Sequence, residues 1–90
     1  MGYQRFDERA SFILYRVEYI LTEVYDQKIN IKQGYDKIFD LIYSLDKNVK
    51  VVHSYRSNIY SVIHNIRNYE YTVHYAVYRI TKSILYILNQ

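Results

Sequence analysis

Hydrophobic positions recur on a seven-residue frame through almost the whole chain: Tyr3, Ala10, Val17, Val24, Ile31, Ile38, Leu45, Val52, Ile59, Ile66, Val73, Ile80 and Ile87. With half the residues hydrophobic, an unbroken series of this length in one of seven frames has odds on the order of one in a thousand without a helical rule behind it. A seven-residue period is the instruction for helices to lie along one another. It predicts an all-α chain with coiled-coil-like packing, and it says nothing about chemistry.

Further apolar residues beside this series mark the individual elements. Phe6, Ala10, Ile13, Leu14, Val17, Ile20, Leu21 and Val24 follow the i, i+3, i+4, i+7 pattern of one buried face and predict a helix over about Arg5 to Gln27. Asp7 and Glu8 sit where carboxylates offset the helix dipole. Gly34 can take positive φ, so a turn is expected around residues 28–34; a short strand at Ile29 and Ile31 is the minor alternative. A shorter helix follows over about Tyr35 to Asp46, with a turn at Asp46-Lys47-Asn48 where Asp46 or Asn48 can cap the next helix.

From Val49 to Leu88 the apolar stripe never loses phase. That favours one continuous helix of about 40 residues, roughly 60 Å long, overhanging a globule only about 30 Å across. Its branched series Val52, Ile59, Ile66, Val73, Ile80 and Ile87 is the type that favours two strands, which predicts an oligomer interface and a dimer. The competing reading breaks the helix at Asn68-Tyr69-Glu70, with Asn68 as cap and Glu70 in a first turn, and yields a four-helix bundle. Either way residues 1–90 form a single all-α domain.

Composition narrows the function classes. The 90 residues contain no Cys and no Pro, so there is neither a disulfide frame nor a thiolate metal site. No apolar run approaches eighteen residues and no signal-peptide core is seen, so a cytoplasmic protein is expected. Thirteen tyrosines accompany an abundance of Ile, Asn and Lys, residues with AT-rich codons. In this the composition is similar to small proteins of crenarchaeal viruses and some phages, which would place it in a virion or a mobile element. Charge is uneven: residues 1–46 carry six Lys/Arg against eight Asp/Glu, whereas residues 47–90 carry six Lys/Arg against Glu70 alone. A basic half beside an acidic half points to an anionic partner or to head-to-tail docking of copies.

On the helical wheel the C-terminal half has a second flank: His53, Arg56, Tyr60, His64, Arg67, Tyr71, His74, Tyr75, Tyr78, Lys82 and Tyr86. Cations can neutralise phosphates and tyrosine rings can stack on bases. This makes Arg56, Tyr60, His64, Arg67, Tyr71, Tyr75, Tyr78 and Lys82 the candidate nucleic-acid contacts. The competing structural account packs the rings against the first helices, with Glu18, Glu23, Asp36 and Asp40 pairing with Arg56, Arg67 and Lys82. A membrane surface is disfavoured because the polar face carries Ser54, Ser57, Asn58, Ser61 and Asn65 rather than a dense basic row. The histidines stand too far apart along one helix to share a metal ion, so neither metal nor cofactor is expected.

Arg67-Asn68-Tyr69-Glu70-Tyr71-Thr72-Val73-His74 resembles the Arg, polar residue, spacer, His signature of HEPN-type ribonucleases, small helical bundles that pair to form one RNA-cleaving site. The resemblance implies phosphate stabilisation by Arg67 and proton transfer by His74. The resemblance covers eight of the 90 residues. Gly-rich phosphate loops are absent, Asp36 and Asp40 have an exposed-face spacing, and Ser54, Ser57 and Ser61 lack an orienting carboxylate nearby in sequence. The sequence therefore favours a non-enzymatic, self-associating helical protein whose basic–aromatic face meets nucleic acid. A HEPN-like ribonuclease or toxin, and a small adaptor or inhibitor binding a host protein through its tyrosines, are the alternatives; no small-molecule substrate is evident.

Overall fold

The computed structural model describes the backbone of residues 8–44 and 56–88 and the side chains of residues 11–44 and 56–86. Among these residues the chain is all-helical: α1 (Glu8–Tyr25), α2 (Ile31–Tyr43), α3 (Arg56–Arg67) and α4 (Val73–Leu88). α1 packs against α2, α3 and α4, and α3 also packs against α2 and α4. One core forms between them, from Ile13, Val17, Ile20, Leu21 and Val24 of α1, Ile38 and Ile42 of α2, Ile59, Val62, Ile63 and Ile66 of α3, and Ala76, Ile80 and Ile84 of α4.

α1 ends because its last turn is closed by a Schellman motif. Gln27 takes φ 63°, its N–H donates to the Val24 carbonyl at 3.0 Å and the Lys28 N–H donates to the Glu23 carbonyl at 2.9 Å. α2 then starts on a capping box: Asn30 Oδ1 accepts from the Gln33 N–H at 2.8 Å, and Gln33 Oε1 accepts from the Asn30 N–H at 2.9 Å. The α3–α4 turn repeats this construction. Tyr69 takes φ 62°, Tyr69 N–H donates to Ile66 at 3.1 Å and Glu70 N–H to Asn65 at 2.8 Å. Thr72 Oγ1 then caps α4 by accepting from the Tyr75 N–H at 3.1 Å.

These two hairpins are equivalent under a shift of 42 residues, the separation of Gln27 from Tyr69. The buried positions Val17, Ile20, Leu21, Val24, Gly34, Ile38 and Ile42 map onto Ile59, Val62, Ile63, Ile66, Ala76, Ile80 and Ile84. Of these pairs only Ile38/Ile80 and Ile42/Ile84 keep the same residue. The two turns meet at one end of the bundle: Gln27 Nε2 donates to Tyr69 Oη at 2.8 Å, and the Tyr69 ring stands edge-on to Tyr25 at 4.9 Å. α1 and α3 therefore point the same way, and the chain runs up, down, up, down.

This arrangement corrects the continuous C-terminal helix. The molecule measures 36 × 25 × 18 Å with a radius of gyration of 12.3 Å, too short for a rod of roughly 60 Å. The heptad stays in phase because each turn leaves the core at one apolar residue and returns at the seventh after it, Val24 to Ile31 and Ile66 to Val73. The break falls near Asn68–Glu70, but the cap is Thr72, so Glu70 lies in the turn rather than in a first helical turn.

Gly34 is a second correction. It does not make the turn; it lies buried within α2, where an added Cβ would stand 2.6 Å from Val24 Cγ2. The glycine serves the close approach of α1 and α2, and the turn uses Gln27 instead. Accordingly α1 stops at Tyr25 and α2 spans Ile31–Tyr43, earlier than expected, and the residues at Ile29 and Ile31 form no strand. Asp46 and Asn48, proposed as caps, lie outside the described residues.

The branched series has also found another use. Ile59, Ile66 and Ile80 are fully buried in this chain's own core and Val73 packs against it. An interface between copies built from them would require that core to open. Val52 and the side chain of Ile87 lie outside the described residues.

Candidate nucleic-acid interface

Because α3 and α4 run in opposite directions, the basic–aromatic flank divides between two grooves. Arg56 and Tyr60 face α2, and His64 lies one turn on, against Tyr60. There Arg56 Nε donates to Tyr35 Oη at 3.1 Å, Tyr60 stands at 5.5 Å from Tyr35 and at 4.9 Å from His64, and Tyr35 stacks on Phe39 at 5.7 Å. This part of the flank knits α2 to α3. Arg67 is the half-buried last residue of α3. His53 lies outside the described residues.

Tyr71, Tyr75, Tyr78 and Lys82 belong to the other patch, along α4. Their i, i+4, i+7, i+11 spacing places the rings in a row: Tyr71 is edge-on to Tyr75 at 4.8 Å, and Tyr75 is tilted against Tyr78 at 6.0 Å. Two cations lie over this row. Arg79 is 5.9 Å from the ring centres of both Tyr71 and Tyr75, and Lys82 Nζ is 5.5 Å from that of Tyr78, all within cation–π reach. Arg79 Nη1 also donates long hydrogen bonds to Tyr71 Oη at 3.3 Å and Tyr75 Oη at 3.4 Å. The bond to Tyr75, followed by the charge interactions with Tyr71 and Tyr75, raises the Arg79 pKa above its ordinary value. That stabilisation is complete below the ordinary arginine range and is lost only above it, so Arg79 is cationic at every physiological pH.

At the floor of the α3/α4 groove, Asn58 Nδ2 donates to Ser83 Oγ at 3.0 Å. Ser83 is the buried polar residue of α4, and this bond satisfies it. Arg79, Asn58 and Ser83 are absent from the contacts that the sequence suggests. Arg79 falls just outside the wheel sector of the flank, although its i+4 relation to Tyr75 and i+8 relation to Tyr71 was legible. Ser83 was visible only as a polar residue interrupting an apolar stripe.

The 42-residue equivalence supplies an internal comparison. The groove between α1 and α2 is lined by Arg16, Tyr19, Glu23, Lys37, Asp40 and Ser44, with Ile20 and Leu41. The groove between α3 and α4 is lined by Asn58, Tyr75, Tyr78, Arg79, Lys82, Ser83 and Tyr86. Arg16, Lys37, Asp40, Leu41 and Ser44 thus correspond to Asn58, Arg79, Lys82, Ser83 and Tyr86. The first groove balances two cations with two carboxylates; the second has two cations, three phenols and no carboxylate. One scaffold therefore presents a neutral groove and a cationic aromatic one.

The ion pairs expected between the halves are not made. Among the described residues the salt bridge is Lys32–Asp36 at 3.0 Å, between exposed side chains within α2, and Glu18, Glu23, Asp36 and Asp40 do not reach Arg56, Arg67 or Lys82. The helix break also removes the shared helical face of Arg67 and His74, which now lie on different helices either side of the turn; no hydrogen bond joins them among the described residues. Among those residues no three His, Cys, Asp or Glu side chains are placed to hold a metal ion, and no helix is long and apolar enough to cross a membrane. No protein-family model matches the chain, and no curated protein or solved structure matches it.

Proposed function

We propose that this protein is a non-enzymatic helical binding module that takes nucleic acid on the α3/α4 groove. The observation that carries this reading is the contrast between two equivalent grooves, of which only the second pairs tyrosine rings with cations and has no carboxylate in its lining. Arg79 uses Nη1 for the phenols, which leaves other donors of a planar five-donor fork for phosphate oxygens. Lys82 is an exposed point charge one helical turn from Tyr78. Phosphate neutralisation by these two cations makes affinity fall with salt.

The test is fluorescence anisotropy with a labelled oligonucleotide over a salt series. Arg79→Glu with Lys82→Glu should weaken binding and flatten the salt slope, by roughly 0.7–0.9 for each phosphate no longer neutralised. Lys37→Glu in the equivalent groove should leave both nearly unchanged. Equal losses of affinity from the two grooves, or an unchanged slope after the double substitution, defeats the proposal.

Self-association is the second part of the reading, and a separate observation favours it. Phe12, Tyr15 and Tyr19 are 59%, 74% and 64% exposed on the outer face of α1, an aromatic patch of the kind used at protein contacts. Sedimentation of the native chain against Tyr15→Glu tests it: a native dimer that becomes a monomer supports it, and a native monomer at micromolar concentration ends it.

A further inference from the structure

The α4 face carries too few cations to hold a duplex by charge alone, and this decides the kind of nucleic acid it fits. A protein whose hold on a duplex is mainly electrostatic can make roughly 6–10 phosphate contacts. In the α3/α4 groove Arg79 and Lys82 are the cations. What the groove has in excess is exposed aromatic surface: Tyr75 is 42% and Tyr78 53% exposed. Their rings follow one another along one edge of α4 at 6.0 Å. Bases within a duplex have their faces already stacked and cannot meet such rings, whereas the bases of an unpaired strand can.

We infer that the ligand of this groove is an unpaired nucleic-acid strand whose successive bases stack on Tyr75 and Tyr78 while Arg79 and Lys82 hold the adjoining phosphates. This rests on the nucleic-acid reading above and adds the substrate class. The arrangement is pre-organised. Arg79 lies against Tyr71 and Tyr75 and Lys82 against Tyr78, so each cation already stands beside the rings it works with before the strand arrives. Recognition is by ring face and charge rather than by base edge. Binding is therefore tolerant of sequence, because every base has a π-face.

The experiment is anisotropy on the full chain with three labelled probes of one length: oligothymidylate, an abasic strand with the same phosphates, and a blunt duplex. Stacking is worth roughly 5-fold to over 100-fold per base, so oligothymidylate should bind at least about 5-fold more tightly than either other probe. Tyr78→Ala should remove most of that preference with the salt slope kept, and Tyr78→Phe should restore it. Lys82→Gln should flatten the slope and keep the preference. Equal affinity for thymidylate and abasic strands, or tighter binding of the duplex, overturns the stacking inference while the nucleic-acid reading survives. Failure of all three probes overturns both. Tighter, equally salt-dependent binding of polyglutamate also overturns both and assigns the groove to an acidic protein segment.

Discussion

Ile38→Ala and Ile80→Ala probe the equivalence of the two hairpins directly. Both isoleucines are fully buried in the shared core, and they occupy the same place in α2 and α4 under the 42-residue shift. Each substitution removes three carbons, which at about 0.8 kcal/mol per buried methylene costs about 2.4 kcal/mol of transfer free energy. The void that remains adds about 1–2 kcal/mol at roughly 24 cal/mol per Å³ of unrelaxed cavity. Each variant should therefore lose about 3.5–4.5 kcal/mol, and the two losses should agree within about 1 kcal/mol. A chain of 90 residues has roughly 5–13 kcal/mol of stability to lose. The midpoint should fall by about 14–36 °C in each case. Because core residues of all four helices touch one another, neither hairpin has a complete core of its own, and unfolding should remain a single transition with an unchanged m value. Urea and thermal unfolding followed by far-UV circular dichroism, with tyrosine near-UV signal as the second probe, measures all of this. Two separate transitions in either variant, or a loss below about 1 kcal/mol at one site alone, would refute the shared, equivalent core.

Other substitutions test the turns and the surface. Thr72→Ala removes the α4 cap and should cost about 1 kcal/mol by chemical denaturation; Asn30→Ala should cost at least as much, since its cap is reciprocated by Gln33. Gly34→Ala gains about 1 kcal/mol of helix propensity but meets Val24 Cγ2 at 2.6 Å. The overpacking, about 1–3 kcal/mol, should win, and a double-mutant cycle with Val24→Ala should show favourable coupling of about 1 kcal/mol. Lys32→Ala breaks the Lys32–Asp36 pair, whose side chains are exposed, and should change stability by no more than about 0.5 kcal/mol. Since Arg79 is held charged well beyond the physiological range, binding to the α4 face should be flat between neutral and mildly alkaline pH; a step in affinity there would contradict its assigned role.

Much of the site was legible in part. Tyr75, Tyr78 and Lys82 could be grouped from spacing alone because they lie within α4, where wheel geometry holds, and Tyr71 joins them from the end of the turn just before it. Arg56, Tyr60 and His64 join that group only if the wheel continues through residues 68–72. The chain turns there, so Arg56 and Tyr60 knit α2 to α3 instead, with His64 against Tyr60. The turn was hard to see because its left-handed positions are filled by Gln27 and Tyr69 rather than by glycine, at a cost of roughly 1–2 kcal/mol each. The Schellman bonds and the hydrogen bond between Gln27 and Tyr69 offset that cost, and neither is a property of a local sequence window.

The hydrophobic period alone determined that the described residues are helical, which aliphatic side chains lead the inner face of each helix, though not the burial of Gly34, Ala76 or Ser83, and that the second half repeats the heptad frame of the first. Those follow from local backbone geometry and the cost of exposing Ile, Val and Leu to water. Only the tertiary structure decided that the frame is folded back on itself, so that Ile59, Ile66 and Ile80 face their own chain. The tertiary structure also made two equivalent grooves from sequences that share almost no residues. The reason is physical: a seven-residue period is satisfied equally by a second molecule and by a returning helix. Which of them covers an apolar stripe depends on packing between residues distant in sequence.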